Sequence, residues 1–293
     1  MNWPKHLNKK IKTKINLAGQ TSFKIGGKAR FFFQPENLKQ LQQALISAKR
    51  AGLRIFILGA GSNILVSDSG LNGLVIKLAG PDFKKLNFEG NCMIAGSGLK
   101  LSRLILSAKN KGLSGLEFLA GIPGTLGGAA MGNAGAWDKS IGGLVKEVHV
   151  LDDCGKLKLL KNRELKFSYR ESNLNKYIIL SAKLKLTPEN KGLIAARIKK
   201  YLLERRKTQN NSLPNAGCVF KNPVNASAGK LIDLCGLKGK AKGGAVISKL
   251  HANFILNKNK AKSRDVLSLM DLISRKVKER FKINLEPEIK IWK

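Results

Sequence analysis

The most constraining feature of this sequence is a run of small residues between Gly121 and Ala136, which reads "GIPGTLGGAAMGNAGA" and contains six glycines. Glycine has no Cβ, so the backbone of such a run can lie directly against a flat or charged ligand. Glycine also loses more conformational entropy on folding than any other residue, and a ligand or close contact must offset that loss. The run therefore predicts a loop that approaches a bound ligand. Close packing against another backbone segment is the alternative.

A second glycine-rich turn, "GAGSN" at Gly59–Asn63, directly follows the apolar segment "RIFIL". Its two glycines permit positive φ, which lets successive N–H groups converge on an anion such as a pyrophosphate. The turn is not a Rossmann fingerprint, because the third glycine is missing and no helix is expected after it. A tight turn between two strands explains the segment equally well.

The apolar patterns predict an α+β chain. A strand at "ARFFF" is followed by a helix that starts after Pro35, with Leu38, Leu41, Leu45 and Ile46 on one face. The next part reads as short strands with one helix, Leu99 to Asn110, and the chain becomes helical again from about residue 191. A last helix begins at Ser263, interpreted as its N-cap, and precedes a strand at "INLEPEIKIW".

The 293 residues include 54 Lys and Arg against 19 Asp and Glu, a formal net charge of +35. A basic nucleic-acid-binding protein is one interpretation of such a charge. However, the lysines are spread through every segment and aromatic residues for base stacking are scarce, so we expect no specific nucleic-acid binding. An anionic substrate would still be attracted by this field.

Two further features bound the class of protein. No segment approaches the roughly 18 apolar residues of a membrane-spanning helix, so we expect a cytoplasmic protein without membrane insertion. Cys92, Cys154, Cys218 and Cys235 are widely spaced and form no CxxC pair. We therefore expect reduced thiols, and neither a disulfide framework nor a metal site.

Several segments, taken in order, resemble the UDP-N-acetylenolpyruvoylglucosamine reductase family over about residues 20 to 290. They are "TSFKIGGKA", "GAGSNILV", "GIPGTLGGAAMGNAGAW", "FSYRES", "NAGCVFKNP", "AGKLIDLCGLKG", "GGAVISKLHANFILN" and "LEPEI". The resemblance implies a two-subdomain FAD-binding module of the vanillyl-alcohol-oxidase type, followed by a smaller α+β substrate-binding domain. The expected boundaries are a basic segment at 1–20, FAD subdomains at 21–80 and 81–189, and the substrate-binding domain at 190–293. The chain is similar to the shorter type of the family, without a Tyr-bearing insertion after "FSYRES".

The resemblance also implies an activity. NADPH would reduce non-covalently bound FAD, and the reduced flavin would convert the enolpyruvyl ether of a UDP-sugar to the lactyl ether of UDP-N-acetylmuramate, a step of peptidoglycan precursor synthesis. Another FAD-dependent oxidoreductase of the same domain type, acting on an alcohol or a hydroxy acid, is the alternative. The cofactor-binding residues that the resemblance implies are Gly59, Ala60, Gly61, Ser62, Asn63, Gly121, Ile122, Pro123, Gly124, Gly127, Gly128, Asn133, Gly135 and Ala136.

Two charged residues match catalytic positions of the family. Arg170 would stabilise the negative charge that develops on the substrate carboxylate, because a guanidinium binds a carboxylate bidentately and stays charged. A surface arginine at a strand end is the alternative. Glu288 matches the family's carboxy-terminal glutamate and would donate a hydrogen bond if protonated. Glu286 lies on the other side of Pro287, and strand alternation alone does not distinguish the two glutamates.

Cys218 lies where the family usually has a serine that protonates the substrate's α-carbon. A thiol has a reference pKa of about 8.5 and is a stronger acid than an alcohol, so the exchange preserves a proton donor. A small buried thiol is the alternative. Lys221 and Asn222 resemble the family's contacts to the UDP moiety, although a solvated loop lysine is equally ordinary. His251 is interpreted as a structural residue.

Overall fold

The computed structural model describes residues 3–209 and 213–293. Its helices are α1 (Lys5–Asn8), α2 (Leu38–Arg50), α3 (Leu101–Asn110), α4 (Leu126–Met131), α5 (Lys191–Thr208), α6 (Ala228–Leu234) and α7 (Ser263–Phe281). Its strands are β1 (Lys12–Asn16), β2 (Lys28–Phe33), β3 (Arg54–Leu58), β4 (Ile64–Val66), β5 (Leu71–Lys77), β6 (Leu86–Glu89), β7 (Cys92–Gly96), β8 (Leu113–Ser114), β9 (Gly135–Ala136), β10 (Lys139–Ser140), β11 (Val145–Leu151), β12 (Leu157–Lys161), β13 (Phe167–Ser168), β14 (Glu171–Ser172), β15 (Ile178–Lys185), β16 (Thr187–Pro188), β17 (Asn215–Cys218), β18 (Ala241–Lys242), β19 (Ala245–Ile247), β20 (Phe254–Asn257) and β21 (Lys290–Trp292).

The chain divides into two compact units. The first contains Met1–Lys12, Phe31–Ala60 and Gly73–Arg205, and the second contains Thr13–Arg30, Gly61–Asn72 and Arg206–Lys293. Each unit therefore combines segments that are distant in sequence. The domain boundaries expected from the sequence remain a prediction.

In the first unit, α2 packs against β3, which pairs in parallel with β5. The Asn37 side chain caps α2 by accepting a hydrogen bond from the Gln40 N–H at 3.0 Å. Leu41 and Leu45 are buried as predicted, but Ile46 is 42% exposed. The prediction for Ile46 was wrong because Ala44 and Ala48 complete the buried stripe, which leaves Ile46 at its margin.

The first unit also contains a five-stranded antiparallel sheet, in the order β12-β11-β15-β7-β6. Its core is built from buried apolar residues of the sheet and of the segments around α3 and α4. Helix α3 begins at Leu101 rather than at the predicted Leu99. Helix α4 was missed, because its sequence "LGGAAM" lies within the glycine-rich run that we interpreted as a loop.

In the second unit, an antiparallel sheet in the order β17-β20-β19-β18 carries α7 on β18 and β19, and α6 packs on α7. Lys262, and not Ser263, is the N-cap residue of α7. Ser263 is instead the first helical residue, and its hydroxyl donates to Asp68 Oδ2 at 2.8 Å. The strand predicted at "INLEPEIKIW" is confined to β21, which pairs in parallel with β4. Within the two described stretches of chain, no helix has the length and apolar content to cross a bilayer.

Candidate active site

The turn after β3 and the glycine-rich run meet in the first unit at Gly59 and Thr125. A Cβ on Gly59 would lie 2.7 Å from Thr125 Oγ1, so any larger residue at this position would displace that hydroxyl. Thr125 is also the N-cap of α4, and its hydroxyl accepts a hydrogen bond from the Gly128 N–H at 3.5 Å. One threonine thus joins the start of the turn to the start of the helix.

Some glycines of the run are explained by packing within the protein. A Cβ on Gly127 would lie 2.9 Å from the Ser97 Cβ, and one on Gly135 would overlap the Lys139 carbonyl oxygen. Gly121 has φ of +79°, a conformation that glycine adopts far more readily than other residues. For these positions the packing alternative is sufficient.

Gly128 and Gly132 are different. Among the described residues, a Cβ on Gly128 would meet only Thr125 Oγ1, at 3.7 Å, and one on Gly132 only the Gly128 carbonyl oxygen, at 3.6 Å. Both are ordinary van der Waals distances, so protein packing does not demand glycine there. A backbone surface kept free of side chains is what a flat, charged cofactor such as FAD requires, and these residues fit it.

Asn133 connects the glycine-rich run to the hairpin of β13 and β14. Its Nδ2 donates to the Ser168 carbonyl at 2.7 Å, and its Oδ1 accepts from the Gly142 N–H at 3.0 Å. The residue is buried and has φ of +43°. The side chain that we predicted to bind cofactor therefore makes two hydrogen bonds inside the protein.

Arg170 lies at the tip of that hairpin. Phe167 pairs with Ser172 and Ser168 with Glu171, which leaves Tyr169 and Arg170 as a two-residue turn. Arg170 has φ of +58°, and its Nη1 donates to the Gly135 carbonyl at 2.8 Å. The alternative of a surface arginine at a strand end does not describe this geometry, because the guanidinium is hydrogen-bonded to a carbonyl of the glycine-rich run.

The remaining part of the "GAGSN" turn lies in the second unit. A Cβ on Gly61 would overlap the Gln20 carbonyl oxygen, and the Ser22 N–H donates to the Gly61 carbonyl at 3.0 Å. Asn63 Nδ2 donates to the Glu288 carbonyl at 3.3 Å, and its own carbonyl accepts from the Lys290 N–H at 3.0 Å. The turn and the carboxy-terminal glutamate are thus joined within one unit.

Cys218 and Glu288 lie on adjoining segments of the second unit. Cys218 is the last residue of β17, and the Glu288 N–H donates to the carbonyl of the next residue, Val219, at 2.9 Å. Phe220 pairs with Pro287 in the same antiparallel arrangement. These main-chain contacts between residues 218–220 and 287–288 form a short ladder. The sequence indicated Cys218 and Glu288 separately, and the ladder places them on adjoining segments.

Asn253 is a structural residue of this ladder that our sequence analysis missed. It is 1% exposed, accepts a hydrogen bond from the Phe220 N–H at 3.0 Å, and donates to the Phe220 carbonyl at 2.8 Å. An asparagine in the apolar segment "ANFIL" was the available signal, because a buried amide needs partners. Asn253 fixes the segment that follows Cys218.

Lys221 and Asn222 already have partners within the protein. Lys221 Nζ lies 2.6 Å from Glu286 Oε1, and the side chains are 13% and 69% exposed, respectively. Asn222 Oδ1 accepts from the Ala228 N–H at 3.0 Å, at the start of α6. Glu286, on the other side of Pro287 from Glu288, is thus the ion-pair partner of Lys221.

The surroundings of His251 fit the structural role that we assigned to it. Its Nδ1 accepts a hydrogen bond from the Asn253 N–H at 3.3 Å, so the neutral ring carries its proton on Nε2. The ring centroid lies 4.7 Å from that of Phe254. Burial lowers the pKa of His251, which favours this neutral form.

Comparisons with known proteins agree with these features. A family model described as "FAD binding domain" matches residues 29–160, and one described as "UDP-N-acetylenolpyruvoylglucosamine reductase, C-terminal domain" matches residues 208–292. Proteins named UDP-N-acetylenolpyruvoylglucosamine reductase are similar over most of their length. The relative from Moorella thermoacetica is 40% identical over 98% of this chain and 94% of its own, and that from Bacillus subtilis is 38% identical over 94% and 91%.

Solved structures show the same relationship. The crystal structure of UDP-N-acetylenolpyruvylglucosamine reductase from Thermus caldophilus has a TM-score of 0.84 and 36% identity, and the match covers 97% of this chain and 99% of that one. Physcomitrella patens BBE-like 1 matches 64% of this chain and 45% of its own, with a TM-score of 0.51 and 20% identity, which indicates a shared fold alone. The expected fold class, an α+β FAD-binding module followed by a smaller carboxy-terminal domain, is confirmed.

Proposed function

This chain belongs to the UDP-N-acetylenolpyruvoylglucosamine reductase family, and on that premise we propose which of its residues carry out the reduction. It is an FAD-containing enzyme that reduces the enolpyruvyl ether of UDP-N-acetylglucosamine to UDP-N-acetylmuramate in peptidoglycan synthesis. FAD, when bound, supplies the redox chemistry, and we assign NADPH as the electron donor and the cytoplasm as the compartment. Gly59–Asn63 and the run Gly121–Ala136 are assigned to the FAD pyrophosphate.

Reduction adds a hydride to the β-carbon of the enolpyruvyl double bond and a proton to its α-carbon. Negative charge develops on the adjoining carboxylate before the proton arrives, so a fixed cation lowers the barrier. We assign that role to Arg170. Its guanidinium is held by the Gly135 carbonyl, which ties it to the run assigned to FAD.

The proton comes from the Cys218 thiol in this assignment, and Glu288 supports the intermediate with a hydrogen bond. These two roles rest on the hydrogen bond from the Glu288 N–H to the Val219 carbonyl at 2.9 Å. It holds Glu288 on the segment that adjoins Cys218. Lys221 and Asn222 are assigned to the UDP moiety. The Lys221 ammonium pairs with Glu286. Lys221 can therefore bind a diphosphate only if this ion pair opens or if the ammonium contacts both groups.

A two-step spectroscopic experiment tests these roles. Under anaerobic conditions, NADPH is expected to bleach the flavin absorbance of the wild-type protein, and the enolpyruvyl UDP-sugar to restore it. Cys218→Ala should bleach normally, whereas its recovery should be slower by about 10²- to 10⁴-fold, the usual contribution of a general acid. Cys218→Ser should recover, because a hydroxyl also carries a transferable proton.

Cys235→Ala is the matched control, since it removes a half-buried thiol of the same unit that has no assigned role. Its two half-reactions should equal those of the wild type. Recovery of Cys218→Ala at the wild-type rate would exclude the thiol as the proton donor. A wild-type flavin that NADPH does not bleach would exclude the assigned electron donor.

A further inference from the structure

Trp137 and Asp138 form the two-residue turn between β9 and β10, directly after the second glycine-rich run. Ala136 pairs with Lys139 across this turn, and the two turn residues have positive φ, of +51° and +56°. Two-residue hairpin turns favour this conformation, but they usually place Asn or Gly there, because a bulky side chain makes positive φ costly. A tryptophan in such a turn is strained, so contacts of its side chain must offset that strain.

Helix α5 holds the Trp137 ring. The ring centroid lies 4.3 Å from that of Tyr201, with 32° between the two planes, and the Arg205 guanidinium carbon lies 4.8 Å from the Trp137 ring centroid. Aromatic stacking and a cation–π contact are both favourable at these distances. We call these three side chains the Trp137 stack. Tyr201 also packs against the core of the first unit, so the stack anchors the turn to that core.

The same helix contacts the other end of the glycine-rich run. A Cβ on Gly121 would lie 2.8 Å from Arg205 Cδ and 3.3 Å from Leu202 Cδ2. Arg205 thus lies against Gly121, the first residue of the run, and against Trp137, the residue that follows the run. Both ends of the run that we assign to FAD are therefore packed against α5.

The turn lies two residues from the carbonyl that holds Arg170. Gly135 is in β9, and its carbonyl accepts a hydrogen bond from Arg170 Nη1 at 2.8 Å. Gly135 also pairs with Ser140 across the turn, and a Cβ on Gly135 would overlap the Lys139 carbonyl oxygen, so the hairpin is closely packed. A movement of the turn would therefore shift the Gly135 carbonyl and the guanidinium that is bonded to it.

We propose that Trp137 is a positioning residue for the reduction, because the Trp137 stack fixes the β9–β10 hairpin and with it the carbonyl that orients Arg170. The inference rests on the proposed role of Arg170 at the substrate carboxylate. A small displacement of a charge-stabilising group is costly in rate, because the stabilisation depends on preorganised geometry. Loss of the stack should therefore slow the step that uses the enolpyruvyl substrate and leave bleaching by NADPH unchanged.

The test measures how fast the NADPH-bleached flavin recovers its absorbance at increasing concentrations of the enolpyruvyl substrate. Trp137→Gly suits the positive φ of the turn and removes the ring. We expect its limiting rate of recovery to fall by about 10- to 100-fold, while its half-saturating substrate concentration stays within about threefold and its bleaching rate within about twofold of the wild type. Trp137→Phe should recover to within about fivefold, because a phenyl ring can still stack on Tyr201.

Asp138→Gly is the matched control, because it makes the same backbone exchange at the other turn residue and leaves the stack intact. Its limiting rate of recovery should stay within about twofold of the wild type.

A double-mutant cycle tests whether Trp137 acts through Arg170. Arg170→Ala should slow recovery by about 10²- to 10³-fold, and adding Trp137→Gly should slow it by less than about twofold more, because both changes remove the same stabilisation. The urea midpoints of the apoproteins give a second readout that needs no flavin. Arg170→Ala should lower the midpoint less in Trp137→Gly than in the wild type, because the bond to the Gly135 carbonyl is already weakened.

Four outcomes would overturn the proposal: recovery of Trp137→Gly at the wild-type rate, equal slowing in Asp138→Gly, equal slowing of bleaching and recovery, or additive effects in either cycle. If Trp137→Gly does not fold, Tyr201→Leu replaces it under the same criteria, with Tyr201→Phe as its control, because stacking does not use the hydroxyl. Arg170→Ala distinguishes the two levels of the argument. Wild-type recovery in Arg170→Ala overturns its proposed role, whereas slow recovery in Arg170→Ala with wild-type recovery in Trp137→Gly overturns only the role of Trp137.

Discussion

At the level of single residues, the position of Cys218 is defined by main-chain bonds that do not depend on its sulfur. The Val219 N–H donates to the Asn253 carbonyl at 2.9 Å, the Glu288 N–H donates to the Val219 carbonyl, and the Asn253 amide holds Phe220. An exchange between serine and cysteine at 218 therefore changes the acid and not its place. On Gly217, the preceding residue, a Cβ would meet no described atom within 4 Å apart from its chain neighbours.

His251 predicts a pH dependence of stability. Burial lowers its pKa in the folded protein below the ordinary value of 6.5, so the unfolded chain takes up the proton first as the pH falls. The stabilisation is complete above pH 6.5 and is lost as the pH drops through that value, until the folded-state pKa is reached. We expect the urea midpoint of the wild type to fall in this range, relative to its value at pH 7.5.

The reference for this measurement is His251→Asn, whose Oδ1 offers an acceptor in place of Nδ1 but does not titrate. The difference between the two midpoints should narrow as the pH drops below 6.5, because only the wild type has the histidine contribution to lose. Parallel pH profiles for the two proteins would show that His251 is protonated equally in both states. That result would contradict the burial argument.

At the level of elements, the helices and strands with a strong periodic pattern could be predicted from the sequence, whereas those that depend on tertiary contacts could not. Helices α5 and α7 follow from long amphipathic or charged patterns, and the strand, helix and strand before "GAGSN" follow from theirs. Helix α4 was missed because glycine disfavours helices, yet the Thr125 cap and the fit of Gly127 against Ser97 override that propensity. Tertiary contacts were decisive there.

The ladder between Cys218 and Glu288 was equally beyond local patterns. Its two segments are far apart in sequence, and alternation cannot state which residue of one faces which residue of the other. For the same reason strand alternation did not distinguish Glu286 from Glu288, and the choice of Glu288 rests on its position in the motif. By contrast, the chemical identity of the candidate residues came from motif positions, because those are local.

Two adjacent glycines of α4 give a matched prediction for the FAD segment. In Gly127→Ala the new Cβ would lie 2.9 Å from the Ser97 Cβ, so we expect the apoprotein to lose stability by about 1–3 kcal/mol. In Gly128→Ala the nearest atom is 3.7 Å away, and alanine favours a helix by about 1 kcal/mol, so the apoprotein should be as stable or more stable.

For FAD binding, we expect the opposite order of these two variants. The Gly128→Ala Cβ occupies the surface that we assign to the cofactor, so its FAD Kd should rise although the apoprotein is stable. Urea unfolding of the apoproteins and flavin fluorescence titrations measure the two effects separately. If the Gly128→Ala protein is stable and binds FAD as the wild type does, Gly128 is not part of the FAD-binding surface, and the packing alternative applies to it.

At the level of the whole molecule, the charge is far from balanced. Even if each of the 19 acidic residues paired with a base, 35 of the 54 basic residues would stay uncompensated. Several ion pairs that do form are on the surface, for example Lys10 with Glu36, and such pairs contribute little to stability. The net charge therefore acts mainly through its long-range field, which attracts anions of every kind.

The UDP-sugar substrate and the proposed electron donor, NADPH, are both polyanions, so this field predicts a salt-dependent rate. Raising the ionic strength from about 10 mM to about 150 mM shortens the Debye length from about 30 Å to about 8 Å. We expect kcat/KM for the UDP-sugar to fall by roughly tenfold, with kcat almost unchanged, because screening slows encounter and not chemistry. Flavin absorbance in the retained fraction after ultrafiltration must stay constant, which shows that FAD is not lost. A kcat/KM that is flat in salt would mean that the positive charge lies where approaching substrate does not experience it.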